Sequence, residues 1–249
     1  MISEYRIEIC ANSVESAVIA QTAGAYRVEL CAGMPEGGTT PSYGSIAMAR
    51  KLLNKTLLNV IIRPRGGDFM YSPMEVDIML HDIEMARQLK ADGVVFGCLT
   101  ADGEVDVCAM KLLVEASEGM SVTFHRAFDR CSDPHKALEQ LINLGVDRIL
   151  TSGQETSAEK GIELIKSLVE QAVGRIIIMP GCGVNAGNIR KIAKETGVSE
   201  LHFSGRSSVE SKMTFRNEKF AAGELVRIEE YKTDVTDISL VKSAIDALS

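Results

Sequence analysis

A single (β/α)8 barrel, the TIM-barrel architecture, is the α/β fold this sequence predicts, on three observations. Short β-rich apolar runs alternate with amphipathic helical stretches along the whole chain. Eight such units follow one another at intervals of about 20–35 residues, the cadence of one strand and one helix. The length of 249 residues is close to the roughly 250 usual for this fold. An open doubly wound sheet would share the alternation, but no GxGxxG follows the first strand. The whole of 1–249 therefore reads as one domain.

The elements follow in order. The first strand covers 5–10 and holds RIEIC at 6–10, whose alternation of apolar and polar residues has the period of a strand. Ser13, two residues before Glu15, opens a helix over 13–23 that ends at Gly24. RVELC at 27–31 repeats the first phrase 21 residues on, inside a strand at 26–31. Pro41 marks the first turn of a helix over 42–53, followed by a strand at 57–63. Pro73 does the same for a helix over 74–90, in which HDIEMARQLK carries a Met and Leu stripe for core packing. A strand at 93–98 and a helix over 106–118 come next, then a strand at 120–125. Pro134 begins a helix over 133–144, before a strand at 146–151 and a helix over 157–172. The last two strands are at 175–180 and 199–203, with a helix over 186–196 between them. Gly24, Gly93, Gly119, Gly145, Gly174 and Gly197 stand at helix-to-strand returns, where a left-handed residue is favoured. Asp237 caps a final helix near 237–248. The extended segment 204–236 is the one irregular stretch, too long for an ordinary βα loop; it is expected to cover the barrel mouth or meet another subunit.

Composition narrows the function. Hydrophobic residues make up 45% and charged residues 24%, ordinary for a globular chain with a core. The net charge of −7 and the absence of any Lys/Arg block argue against a nucleic-acid partner. No apolar run reaches the roughly 18 residues of a membrane span, and the N-terminus shows no basic-then-apolar leader. A cytoplasmic location is expected. Six cysteines (10, 31, 98, 108, 131, 182) lack CxxC spacing and read as free thiols.

In a barrel, side chains alternate between the interior and the helix layer. Ile7, Ile9, Val28 and Leu30 must face the helices, since a charge there would be desolvated without partners. Arg6, Glu8 and Cys10 then point inward beside Arg27, Glu29 and Cys31. Cys10 and Cys31 reach the C-terminal rim, where barrel sites are built. Ser121, Thr123 and His125 alternate along the fifth strand, Glu200, His202 and Ser204 along the eighth, and Asn59 shares a face with Arg63 on the third. Arg6 and Arg27 are expected to form ion pairs near the closed bottom. Glu8, Glu29, Arg63 and His125 are expected to converge in one rim-side pocket as the candidate catalytic group. Arg63 would keep both Glu carboxylates ionised, and Asp129 would orient His125.

The stretches EICANSVESA, VELCAGMPEGGTTPS, IRPRGGDFMYS, DGVVFGCLTADGEVD, VTFHRAFD, RILTSG and MPGCGV resemble the CutC family, labelled as copper homeostasis proteins. The resemblance runs from about residue 6 to TFRN at 214–217. It implies a (β/α)8 barrel, a cytoplasmic location, a homodimer or higher homo-oligomer, and copper handling without a settled reaction. Residue by residue, it implies Cys10 and Cys31 as the thiols that hold copper. One position departs: the family's MPGGG is MPGCG here, with Cys182 in place of a glycine.

Two chemistries remain open. Soft thiolates select Cu(I), and Cys10 and Cys31 on adjacent strand ends could grip it; Cys98, Cys131 and Cys182 also fall on the mouth side, with Met34 as the nearby thioether. The alternative is an enzyme acting on a small anionic or phosphorylated substrate. Arg63 and Arg65 offer guanidinium forks, and Glu8 or Glu29 with His125 could move a proton. Gly181, Gly183, Asn185, Ser204 and Arg206 form a candidate anion-binding site in the seventh and eighth loops, with Asn185 capping the seventh helix. No Lys falls in a strand, which argues against a Schiff-base mechanism. Glu8, Glu29, His125 and His202 could instead ligate a divalent ion, while His81 and His135 fall on helices as surface residues.

Overall fold

The computed structural model describes residues 5–217 and 229–248. Eight parallel strands form the barrel: β1 (Arg6–Ala11), β2 (Arg27–Leu30), β3 (Leu57–Ile61), β4 (Gly93–Phe96), β5 (Ser121–Phe124), β6 (Arg148–Thr151), β7 (Ile177–Pro180) and β8 (Glu200–Phe203). They pair in the order β7-β6-β5-β4-β3-β2-β1-β8. The register sets Glu8 beside Arg27 on β2 and beside His202 on β8, and Cys10 beside Glu29. β7 and β8 pack side by side without a ladder of paired residues, so the barrel is nearly closed.

Seven helices cover the strands: α1 (Val14–Ala23), α2 (Tyr43–Leu52), α3 (Pro73–Gln88), α4 (Val107–Ala116), α5 (Pro134–Asn143), α6 (Ile162–Ala172) and α7 (Ile189–Thr196). Their start signals are local. Ser13 accepts a hydrogen bond from the Ser16 amide. Ser72 and Glu75 form a reciprocal capping box ahead of Pro73. Asp133 caps α5 ahead of Pro134. Pro41 differs from expectation: it precedes the capping residue Ser42 and so lies outside α2. Gly24, Gly119, Gly145, Gly174 and Gly197 take left-handed φ as expected. Gly93 does not. Lys90, with φ 62°, makes the left-handed turn after α3 instead. Gly93 is the first residue of β4, where a Cβ would lie 2.5 Å from Asn59 Oδ1 and 2.7 Å from the Ser121 carbonyl. It is a close-approach glycine, not a helix cap.

Ile7, Ile9, Val28 and Leu30 are buried in the apolar layer between strands and helices, as their alternation requires. The segment 204–236 is more regular than expected. β9 (Arg206–Glu210) and β10 (Lys232–Thr236) form an antiparallel hairpin. It docks on α1, with Thr236 N donating to Ser16 Oγ at 3.0 Å and Asn12 Nδ2 donating to the Asp234 carbonyl at 2.7 Å. Residues 218–228, where part of the expected mouth cover or subunit contact falls, lie outside the described residues. α8 (Ile238–Asp246) follows, capped by Asp237.

Candidate functional site

The barrel interior is built in two polar layers. In the lower one, Glu8 accepts from Arg27 Nε and lies 2.7 Å from His202 Nδ1. Glu200 accepts from Arg27 Nη2 and Arg148 Nε, both at 2.6 Å. All four of Glu8, Arg27, Arg148 and Glu200 are buried. Burial would raise the Glu8 carboxyl, but the Arg27 charge overrides it and holds Glu8 far below the usual carboxylate range. Arg6 ion-pairs with Glu200 at 3.7 Å, as expected at the closed bottom, but from the edge of the layer: its side chain is 55% exposed and stacked on the Tyr26 ring. The second buried cation on Glu200, beside Arg27, is Arg148. Sequence reasoning missed it, although Arg148 opens β6 as Arg27 opens β2 and the same alternation would have turned it inward. Glu8 likewise belongs to this layer and not to the rim, because Arg27 and His202 engage both of its oxygens.

Above it lies the mouth cavity, of about 350 Å³, lined by Cys10, Glu29, Cys31, Arg63, His125 and His202 among others, with Met34 at its wall. The two sulfurs are 3.9 Å apart. With a Glu29 carboxylate oxygen they form a cluster whose atoms lie within 4.8 Å of one another. His202 Nε2 is 3.8 Å from Glu29 Oε2. The hydrogen bond from Cys31 pulls the Cys10 thiol well below its usual range, helped by His202 and against burial. Cys31 is pushed well above by the same bond and by burial. Burial, and then the Cys10 charge, push Glu29 up to about 8. His202 is held well above an ordinary imidazole, because hydrogen bonds to Cys10 and Glu8 outweigh burial. The shifts favour the charged forms of Cys10 and His202 and the neutral forms of Cys31 and Glu29.

On the β3–β5 side the arrangement differs from expectation. Arg63 forms no ion pair with Glu8 or Glu29 among the described residues. It donates to the carbonyls of Glu36, Gly38 and Gly67 at 2.8, 2.7 and 2.9 Å, and stacks on Phe69. The expected Arg63 hold on the two Glu carboxylates is therefore wrong; Arg27 holds Glu8, and Glu29, without a guanidinium partner, is pushed up by burial. His125 Nδ1 accepts from the Ala127 amide at 3.2 Å. Burial and the Arg63 charge push His125 down to about 3, so it stays neutral and is a poor proton shuttle. Asp129 does not orient it; that carboxylate accepts from Thr151, Ser152, Gln154 and Arg126. Arg65 turns away to Glu75 and Asp68.

Residues 5–207 match the model of the CutC family. The chain belongs to the CutC family. Among its relatives, family protein CutC of Bacteroides fragilis is 62% identical over 248 residues, covering 100% of this chain and 99% of that protein. The copper homeostasis protein cutC homolog of Mus musculus is 47% identical over 239 residues, covering 96% of this chain and 88% of that one. The crystal structure of CutC from Streptococcus agalactiae superposes with a TM-score of 0.77 at 41% identity, over 80% of this chain and 98% of that chain.

Within this CutC chain the seventh and eighth loops do not assemble the expected anion set as one wall. Gly183 and Ser204 line the mouth cavity. Gly181 lies behind it, where a Cβ would meet Leu150 at 2.6 Å. Asn185 caps the turn that leads into α7 rather than the helix's own first residue: its Oδ1 accepts from the Gly187 amide and its carbonyl from the Ile189 amide, while Asn188 directly precedes the helix. Arg206 sits on β9, 3.7 Å from Asp234, and its charge reaches Cys10. Cys182, where the resemblance led to the expectation of a glycine, has a left-handed φ of 79° and lines the cavity, its Sγ 3.4 Å from the Thr156 carbonyl. Cys98 and Cys131 are buried in the apolar layer and Cys108 is exposed, so three of the expected mouth thiols reach the cavity. The alternative divalent set of Glu8, Glu29, His125 and His202 does not cluster among the described residues. His81 and His135 are exposed on α3 and α5.

Proposed function

We propose that this CutC chain takes up Cu(I) through Cys10 and Cys31 at the barrel mouth, in the cytoplasm. The observation that carries the reading is the 3.9 Å sulfur separation inside a cavity at the C-terminal rim. The two thiols would hold the ion between them, with Glu29 and His202 beside it in the same cavity. The donor set suits a soft monovalent ion: two sulfurs are present, and Glu29 near neutral pH is a protonated acid, a poor ligand for a hard divalent ion. The printed name of the mouse relative, a copper homeostasis protein, points the same way.

Six free cysteines, two of them adjacent, suit a reducing compartment. No helix among the described residues is long and apolar enough to cross a membrane. The exposed apolar residues Tyr43, Met48 and Leu52 on α2 support a second copy of the chain as partner. The test is stoichiometric Cu(I) uptake under reducing conditions with a competing chelator. One equivalent bound by the wild type and none by Cys10→Ser/Cys31→Ser is expected. Unchanged uptake by the double variant would retire the thiol site.

A further inference from the structure

The cavity is far larger than one metal ion needs: a water molecule takes about 30 Å³, and the mouth offers about 350 Å³. Its β3–β5 wall also has two unmet requirements. Arg63 is 4% exposed and has no carboxylate within ion-pair distance among the described residues; its partners are three backbone carbonyls. Its Nε–H has no acceptor. His125 is equally buried, and because its Nδ1 accepts the Ala127 amide, the neutral ring carries its proton on Nε2. That N–H also has no acceptor. Burial and Arg63 keep the ring neutral and hence in this donor form. The Tyr71 hydroxyl approaches Arg63 without a well-formed hydrogen bond and is a third buried polar group without a partner.

Unmet donors of this kind are costly, and a buried cation without an anion more so. Phe69 packs on both groups, 5.1 Å from the guanidinium and 4.9 Å from the imidazole, and lines the same cavity. We infer that Arg63 and His125 form a subsite for the carboxylate of a small organic anion, held on the β3–β5 side of the cavity that has Cys10 and Cys31 on its β1–β2 side. A carboxylate oxygen can accept from either N–H, and the group supplies the single negative charge that Arg63 lacks. A phosphate dianion would call for a second free cation, and the other basic groups lining the cavity are taken: Arg126 by Asp129 and His202 by Glu8, each at 2.7 Å. A bridging water would accept from the donors but leave the charge uncompensated. The subsite does not rest on copper: it uses other residues and another ligand chemistry.

The experiment is NMR detection of the His125 Nε2–H and Arg63 Nε–H of the full chain, titrated with acetate, pyruvate and succinate, and with chloride and inorganic phosphate as controls. At least one carboxylate should shift both signals saturably at millimolar concentration or below. His125→Phe should weaken that binding at least tenfold. So should Arg63→Lys, which keeps the charge and loses Nε–H; its fold is checked separately because Arg63 ties three loop carbonyls. Signals unmoved by any carboxylate into the tens of millimolar, the result a resident water would give, overturn the inference. Affinity unchanged in His125→Phe, or preference for phosphate, overturns it too. Cu(I) uptake read on the same samples should persist in His125→Phe; its loss would place His125 in the thiol site and sink the assignment of two separate subsites.

Discussion

Cys182 holds φ at 79°, in the left-handed region where a Cβ costs roughly 1–2 kcal/mol. The S–H contact with the Thr156 carbonyl is a weak return for that strain. Cys182→Gly removes the Cβ that this backbone conformation crowds, at the expense of some unfolded-chain entropy. A net stabilisation of about 0.5–1 kcal/mol is expected, or a rise of about 1–4 °C in Tm for a chain of this size. Cys182→Ala keeps the Cβ and should gain nothing. Urea unfolding of the two variants side by side checks this: equal stability of Gly and Ala variants would mean that backbone strain is not what the thiol costs. At this scale the sequence was informative about identity and silent about state. The repeated phrase located Cys10 and Cys31, but which thiol keeps its proton depends on His202, Glu29 and Glu8, brought together from three strands.

Strand alternation was legible in the sequence because its period of two is local; the direction of each inward residue on β1, β2 and β8 followed from it. What was not legible is the height at which each residue sits and the partner it meets, since both depend on barrel register. Glu8 was assigned to Arg63 and belongs to Arg27; Arg148, one strand register away from notice, completes the lower layer. That layer makes a testable unit. Arg148→Met removes one of the two buried cations on Glu200 and should destabilise by about 3 kcal/mol at neutral pH. Burial raises the Glu200 carboxyl, but Arg148 and Arg27 prevail and keep it below 4.5. A lowered carboxyl contributes stability that is present above its unfolded value and is lost as pH falls through the folded one. Without Arg148 the folded value moves up, so acid sensitivity should begin at higher pH. The gap between wild type and variant should then narrow as pH falls through the lowered folded value of the wild type and Glu200 takes up its proton. Denaturant midpoints near pH 7 and near pH 3 decide it; a gap of equal size at both would mean that packing, not charge, is what Arg148 supplies.

The whole barrel has one weak seam. Every neighbouring pair of strands from β7 round to β8 through β1 is joined by a ladder, and β7 meets β8 without one. Part of the cause is in the chain: β7 ends in Pro180, which has no N–H to donate, and prolines in sheets keep to edges. The contact there is side-chain packing, with Gly181 fitted between Leu150 and His202. Along β8, alternate amides turn toward β1 and are paired, while the others turn toward β7. Those others need only a local opening to exchange with solvent, whereas β1 and β2 amides wait for global unfolding. Native-state hydrogen exchange should therefore find the seam-facing amides of Glu200–Phe203 about a hundredfold faster than those of β1 and β2. The seam carries His202 on one side and runs up to Cys182 on the other, so it opens into the mouth. Cu(I) held by Cys10 beside His202 would brace β1 against β8 across that end. Exchange at the seam-facing His202 amide should then slow on copper addition while β4 and β5 stay unchanged. Seam amides as protected as β1 in the metal-free protein would mean that the barrel is closed all round and that copper has no opening to restrain.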